Sequence, residues 1–303
     1  MSTVSMRTVG LPSGERIPVL GEGTWGMGED PAERADELRS LLLGIDLGLT
    51  LIDTAEMYAD GKAEELVGDA IAGRRDEVFL VSKVLPANAT RKGTKEACAR
   101  SLERLRTDRI DLYLLHWRGR LPLEDTVTAF TELKNEGAIR HWGVSNFDAV
   151  DLAELITVAG GSEVETDQVL YNLSHRQAEL ELLPWCRDWG MPLMAYSPVD
   201  RGALVENDIV VEIAEKHDAS AAQVALAWVL RNDDVCAIPK ASIPEHVREN
   251  ARALDLRLDN EDLKLLDEAF PPPDFGLTNS TGRRGGSTGC QPYCAGRFDG
   301  LMA

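Results

Sequence analysis

No stretch of this 303-residue chain approaches the ~18 consecutive apolar residues that a membrane-spanning helix needs. The N-terminal Met1-Ser2-Thr3-Val4-Ser5-Met6-Arg7 lacks the apolar core of a secretory signal. Both absences point to the cytoplasm. Positive charge is scarce: 32 Lys and Arg stand against 51 Asp and Glu, a formal net charge of −19. Phosphate backbones are held by clustered Lys and Arg, so nucleic acid is excluded as a partner. An anionic small molecule must then find a local basic pocket against the global field. Cysteine is sparse and scattered. Cys98, Cys186 and Cys236 are far apart, and only Cys290 and Cys294 are close, which makes neither a disulfide framework nor a metal site. No ligand spacing links His141, His175 and His217, so no metal is expected. Finally, no Gly-x-Gly-x-x-Gly opens a helix after a strand, so a Rossmann dinucleotide site is not indicated.

What the chain does contain is an alternation. Eight short apolar runs read as strands: Val19–Thr24, Thr50–Thr54, Val78–Lys83, Ile110–His116, His141–Asn146, Glu165–Val169, Pro192–Tyr196 and Val235–Pro239. Most are continuously apolar, as strands buried on both faces are. Between them lie segments of helical periodicity: Ala32–Leu47, Ala63–Ile71, Thr94–Leu105, Leu123–Asn135, Ala149–Val158, Glu179–Trp189 and Ala221–Leu230. Arg106-Thr107-Asp108 ends one of these helices, and Gly137 is placed to cap another. Strand–helix alternation implies parallel strands joined by right-handed crossovers, and eight such units close a (β/α)8 barrel. Thr8–Leu20, with Pro12-Ser13-Gly14 at its turn, reads as an N-terminal β-hairpin that plugs the barrel. Asp259–Phe270 reads as an extra C-terminal helix, with Leu263, Leu266 and Phe270 on one face. The expectation is one α/β domain over residues 1–273, of monomeric size. Residues 274–303, with Arg283, Arg284 and both late cysteines, form a Gly- and Arg-rich tail whose composition predicts flexibility.

Three strand-like runs end on chemistry. One stops at Asp53, one at Lys83 and one at His116, and Tyr58 follows Asp53 by five residues. Parallel α/β folds carry out their chemistry at the C-terminal rim of the sheet. A free phenol titrates near ~10, so a tyrosine acid needs an adjacent ammonium to exchange its proton at neutral pH. Lys83 meets that need, Asp53 holds Lys83 and balances its charge, and His116 can donate a hydrogen bond to a carbonyl oxygen. Taken singly, each residue has an ordinary structural explanation. Together, at successive strand ends, they outline an acid–base site.

Several ordered motifs carry a resemblance over residues 8–273. They are Leu20-Gly21-Glu22-Gly23-Thr24-Trp25, Ile52-Asp53-Thr54-Ala55 with Tyr58, Val81-Ser82-Lys83 and Leu112-Tyr113-Leu114-Leu115-His116-Trp117. Gly143-Val144-Ser145-Asn146-Phe147, Ala195-Tyr196-Ser197-Pro198 and Ile238-Pro239-Lys240 complete the series. In these the chain resembles an aldo/keto reductase of the short-loop prokaryotic type. The resemblance implies an oxidoreductase that reduces small aldehydes or ketones by hydride transfer, with Asp53, Tyr58, Lys83 and His116 as the catalytic tetrad. It implies NADPH as cofactor, with NADH as a second candidate. Tyr196 would stack on the nicotinamide, and Ser145, Asn146 and Gln168 would bond its carboxamide. Gly23, Thr24, Trp25, Asp53, Ser197 and Pro198 would complete the cofactor's surroundings. Lys240 would meet the 2′-phosphate beside Ala241 and Ser242, and Glu249 and Asn250 would lie near the adenine. Where the family often has Arg, this chain has His246, so a bidentate clamp is missing and preference for NADPH should fall as His246 loses its proton. Short segments after Trp117 and after Pro198 imply a shallow pocket walled by Trp25, Tyr58, His116 and Trp117, suited to small polar carbonyls. The alternative within the same family is a nucleotide-binding regulatory subunit with little turnover.

Overall fold

The computed structural model describes residues 6–273. The predicted segment 274–303, with Cys290 and Cys294, lies outside the described residues, as do residues 1–5.

Two antiparallel strands, β1 (Thr8–Gly10) and β2 (Arg16–Pro18), form the hairpin. Eight parallel strands follow: β3 (Gly21–Gly23), β4 (Leu51–Asp53), β5 (Phe79–Val84), β6 (Ile110–Leu115), β7 (Ile139–Ser145), β8 (Asp167–Leu170), β9 (Leu193–Tyr196) and β10 (Val235–Ala237). They pair in chain order from β3 to β10. A parallel bridge between Leu20 and Ala237 and the bond from Gly23 N–H to Pro239 C=O (3.0 Å) join the two ends, so the sheet closes into a barrel. Every residue of β5 and β6 is buried, which is why those segments read as unbroken apolar runs.

Helices α1 (Arg34–Leu47), α2 (Lys62–Ala70), α3 (Arg91–Leu105), α4 (Leu123–Glu136), α5 (Ala149–Thr157) and α6 (Leu182–Asp188) each follow a strand. After β9 come α7 (Asp208–Lys216) and α8 (Ala221–Val229), and after β10 come α9 (Pro244–Arg252) and α10 (Asn260–Ala269). The expected stop signals operate: Arg106 caps α3 and Gly137 caps α4, both left-handed. The sixth helix is shorter than Glu179–Trp189, because Pro184 is tolerated only in a helix's first turn and so sets its start near Leu182. A separate 3₁₀ turn, Gln177–Glu179, precedes it. Helices α7 and α9 were not foreseen. Asp208-Ile209-Val210-Val211 is β-branched and strand-like in local preference, yet Asn207 accepts from the Ile209 and Val210 N–H groups and starts a helix there. Pro244 at the first position does the same for α9.

The hairpin sits against the N-terminal ends of the barrel strands, as a plug should. Ile17 has no exposed surface, and Val9 and Leu11 join the main core. At its turn Ser13 N–H donates to Glu165 (3.0 Å), while Glu15 bonds His141 Nε2 and Arg140, both at 2.6 Å. At the other margin, Asp259 caps α10 with a reciprocal bond to Asp262, and Leu266 is buried against the barrel.

Candidate active site

The C-terminal ends of the strands surround a cavity of about 740 Å³. Asp53 is the last residue of β4, and Lys83 lies next to the end of β5. Their side chains turn inward, where Lys83 Nζ lies 2.7 Å from Asp53 Oδ1 and 2.8 Å from the Thr54 carbonyl. The same nitrogen donates to the Tyr58 oxygen at 3.2 Å. Three acceptors thus match the three N–H groups of an ammonium. Lys83 has no exposed surface, so it lies behind the cavity wall while Asp53, Tyr58, His116 and Trp117 line it. Tyr58 and His116 meet edge to face, their ring centroids 5.8 Å apart.

Burial pushes the Asp53 carboxyl above its usual range, and contact with Lys83 and Gln168 pulls it back. The imidazole of His116 is pushed well below its ordinary value, first by burial and then by the Lys83 charge. It is therefore neutral at pH 7. Its Nδ1 is buried with no hydrogen-bond partner. A buried N–H without an acceptor costs more than an unpaired lone pair, which assigns the proton to Nε2.

A second set of side chains lies beside this cluster and is already cross-bonded. Ser145 Oγ donates to the Gln168 carbonyl (2.7 Å), and Tyr196 OH donates to Asn146 Oδ1 (2.9 Å). Asn146 Nδ2 donates to the His116 carbonyl (3.1 Å), and Gln168 Nε2 donates to Asp53 Oδ2 (2.7 Å). Gln168 Nε2 also donates to Met194 Sδ (2.9 Å), so both its N–H groups are engaged and its amide oxygen is what it can offer a ligand. Asn146 stands in the left-handed region at φ 56°, held there by bonds on both sides of its amide. Gly23 lines the cavity at the β3–β10 seam, where a Cβ would meet the Ile238 carbonyl at 2.6 Å.

Of the residues expected around a cofactor, Trp25, Ser197, Pro198, Lys240, Ala241, Ser242, His246, Glu249 and Asn250 also line the cavity. Lys240 Nζ donates to Ser242 Oγ at 3.0 Å. Thr24 does not line it: the residue is buried, and its hydroxyl donates to the Asp53 carbonyl at 3.0 Å. Its place is to hold β3 against β4. The segment after Pro198 is longer than the sequence suggested. It continues as a 3₁₀ turn, Asp200–Glu206, and adds Val199, Arg201, Gly202 and Val205 to the lining. The Arg201 guanidinium lies over the Trp25 ring, 4.6 Å from its centroid. Arg201 was missed because nothing in its local sequence separates it from a surface charge. Only its position five residues past Tyr196 points to the rim. Gly21, Gly23 and Gly26 have the spacing of a phosphate loop, but α1 begins only at Arg34, so they build the β3–β4 seam and the cavity rim instead.

Away from the cavity, His217 comes within reach of Asp259 and Asp262, a grouping that sequence spacing did not foresee. The Lys216 ammonium donates to both carboxylates, at 2.9 and 2.7 Å, and so supplies the cation there. Among the described residues no helix is long and apolar enough to cross a membrane.

Comparison with known proteins agrees with this geometry. Methylglyoxal reductase YeaE of Escherichia coli K12 is 52% identical over 262 residues, 85% of this chain and 92% of that one. Glyoxal reductase of Bacillus subtilis is 38% identical, covering 88% of this chain and 94% of its own. An aldo/keto reductase from Klebsiella pneumoniae, solved in complex with NADP and acetate, superposes with a TM-score of 0.86 at 48% identity, covering 89% of this chain and 97% of that one. The model of the aldo/keto reductase family matches residues 19–270, and this chain belongs to that family.

Proposed function

We propose that this protein reduces small aldehydes and ketones to alcohols with NADPH, with Tyr58 as the general acid. One observation carries the reading: a buried ammonium, Lys83, bonds both the Asp53 carboxylate and the Tyr58 oxygen beneath a cavity that reaches Lys240. The donor set fits a nicotinamide dinucleotide. Tyr196 offers an aromatic face, Ser145, Asn146 and Gln168 offer amide partners, and Lys240, Ser242 and His246 offer a phosphate site, with Glu249 and Asn250 near the adenine. Bound in this cavity, NADPH supplies a hydride for the carbonyl carbon.

The remaining chemistry belongs to the chain. As negative charge builds on the carbonyl oxygen, Tyr58 gives it a proton. Lys83 stabilises the phenolate left behind, and Asp53 fixes Lys83 in place. Neutral His116 donates from Nε2 to the same oxygen and orients the carbonyl. Trp25 and Trp117 wall the substrate side and favour a small, compact molecule. The relatives named for methylglyoxal and glyoxal reduction support a ketoaldehyde substrate of this kind. The reading includes a monomer in the cytoplasm, with the catalytic unit in a single domain over residues 1–273. The buried thiols of Cys98, Cys186 and Cys236 suit a reducing compartment.

The test follows NADPH absorbance with methylglyoxal and a panel of small aldehydes, for wild type and Tyr58→Phe. Turnover that collapses in the variant while NADPH binding persists supports the assignment. Tight NADPH binding with no turnover on any carbonyl would instead favour a nucleotide-binding regulatory subunit.

A further inference from the structure

We propose that Glu56 is a positioning residue for the proton donor. Its carboxylate ties the loop that carries Tyr58 to the segment after β5 and to helix α3, and so sets where the phenol stands, a role that rests on the reading of Tyr58 as general acid.

Asp53 and Lys83 take their places from β4 and β5, whereas Tyr58 is on no strand. It opens a 3₁₀ turn, Tyr58–Gly61, that leads into α2. Inside that turn Ala59 and Asp60 adopt left-handed backbone, at φ 48° and 54°, and Gly61 follows at φ 90°. Left-handed backbone is unfavourable for residues that carry a Cβ, so such a run persists only where the structure around it holds it. Each flank of the run carries a carboxylate withdrawn from water: the Glu56 side chain is 7% exposed and that of Glu64 not at all.

Glu56 Oε1 accepts from the Leu85 N–H (2.8 Å) and from Asn88 Nδ2 (2.9 Å), and its Oε2 faces the Arg100 guanidinium at 3.6 Å. Its own N–H donates to the Lys83 carbonyl at 3.4 Å. One residue thus joins the Tyr58 loop to the chain on both sides of the β5 end and to α3. On the far flank, Glu64 Oε1 accepts from the hydroxyl of Ser82, next to Lys83, and Glu64 Oε2 accepts from Arg104, both at 2.6 Å. Arg100 and Arg104 are one turn apart on α3, so a single face of that helix meets both flanks. The two carboxylates differ in reach. Glu64 lies inside α2, whereas only Met57 separates Glu56 from Tyr58. The 3.2 Å between Lys83 Nζ and the Tyr58 oxygen is therefore set by how Glu56 seats the loop on β5. A misplacement of about 1 Å in a reacting group costs about a hundredfold in rate.

The test compares full-length wild type with Glu56→Ala, Glu56→Gln and Asn88→Ala. It measures NADPH binding by fluorescence and the rate of NADPH oxidation in a single turnover with methylglyoxal, which leaves product release out. The same rate is taken in deuterium oxide. Glu56→Ala should slow the single turnover about tenfold to a hundredfold while the NADPH dissociation constant stays unchanged. A misplaced acid slows proton transfer, so the solvent isotope effect should rise as the rate falls. Glu56→Gln should recover most of the rate, since its amide oxygen can accept from both Leu85 and Asn88. Asn88→Ala keeps the carboxylate and its other partners, so its rate should fall between those of wild type and Glu56→Ala, and it decides the matter if Glu56→Ala fails to fold. A wild-type rate in both Glu56→Ala and Asn88→Ala overturns the proposal. So does a slower rate with an unchanged isotope effect and a matching loss of NADPH-binding sites, which is the signature of unfolding alone. Undiminished turnover in Tyr58→Phe is a different result, and it removes the reading of Tyr58 as the acid.

Discussion

Lys83 has no exposed surface, and its ammonium is shared by Asp53, the Thr54 carbonyl and Tyr58. Two different losses follow from two substitutions here. Tyr58→Phe removes the proton donor and leaves the ion pair, so kcat should fall about 10²- to 10⁴-fold with little change in denaturation midpoint. Lys83→Met leaves the Asp53 carboxylate buried without its cation, which costs about 3–5 kcal/mol in fold stability, measurable by urea titration, besides abolishing turnover. Stability unchanged in Lys83→Met would mean Asp53 is held by Gln168 alone. A third change tests the adenosine end. His246→Arg installs a bidentate guanidinium beside Lys240, and the ratio of NADH to NADPH dissociation constants should rise by about tenfold. These residues were legible in the sequence because each ends, or lies a fixed step beyond, an apolar run that reads as a strand. Arg201 was not, because its relation to Trp25 is a contact across 176 positions of chain.

At the scale of elements, the hairpin is fastened to the barrel by a titratable latch. Burial draws the His141 imidazole down, but hydrogen bonds to Glu165 and Glu15 outweigh it, and the net shift is upward. Glu165 is shifted the other way, since its bonds to His141 and Ser13 outweigh its own burial. The signs give a window. A raised His contributes stability fully below its unfolded value of about 6.5 and loses it as pH rises through the folded value. A lowered Glu contributes above its unfolded value of about 4.3 and loses it as pH falls through the folded one. The latch is thus strongest between those two values. Thermal melts should show wild type losing stability from pH 6 to pH 8 more steeply than His141→Gln, and parallel profiles would remove the latch from the account. The hairpin itself was legible from Pro12-Ser13-Gly14 and its flanking arms. His141 was not singled out, because one histidine in an apolar strand carries little information until its partners 126 and 24 residues away are known.

Over the whole molecule, the surface is acidic while the rim at Lys240 and Arg201 is locally basic. Excess like charge destabilises a compact state by self-repulsion, and salt screens it, the Debye length shrinking from about 30 Å at 0.01 M to about 10 Å at 0.1 M. The melting temperature of the ligand-free protein should therefore rise as sodium chloride is added over that range. A melting temperature that falls instead would show that surface ion pairs such as Arg34–Asp69 and Lys95–Glu136 outweigh the net repulsion.

What the chain by itself determined was periodic or adjacent information. The apolar runs, their alternation with helical segments, the caps at Arg106 and Gly137 and the strand-end positions of Asp53, Lys83 and His116 all follow from local sterics and side-chain burial. What only the tertiary structure decided was pairing and orientation. It closed β10 on β3, spent Thr24 on the Asp53 carbonyl and turned Gln168 Nε2 toward Asp53. It also laid Arg201 on Trp25. Those outcomes depend on groups brought together from distant parts of the chain, and local preference, worth a fraction of a kcal/mol per residue, yields to the burial and hydrogen bonding that their meeting supplies.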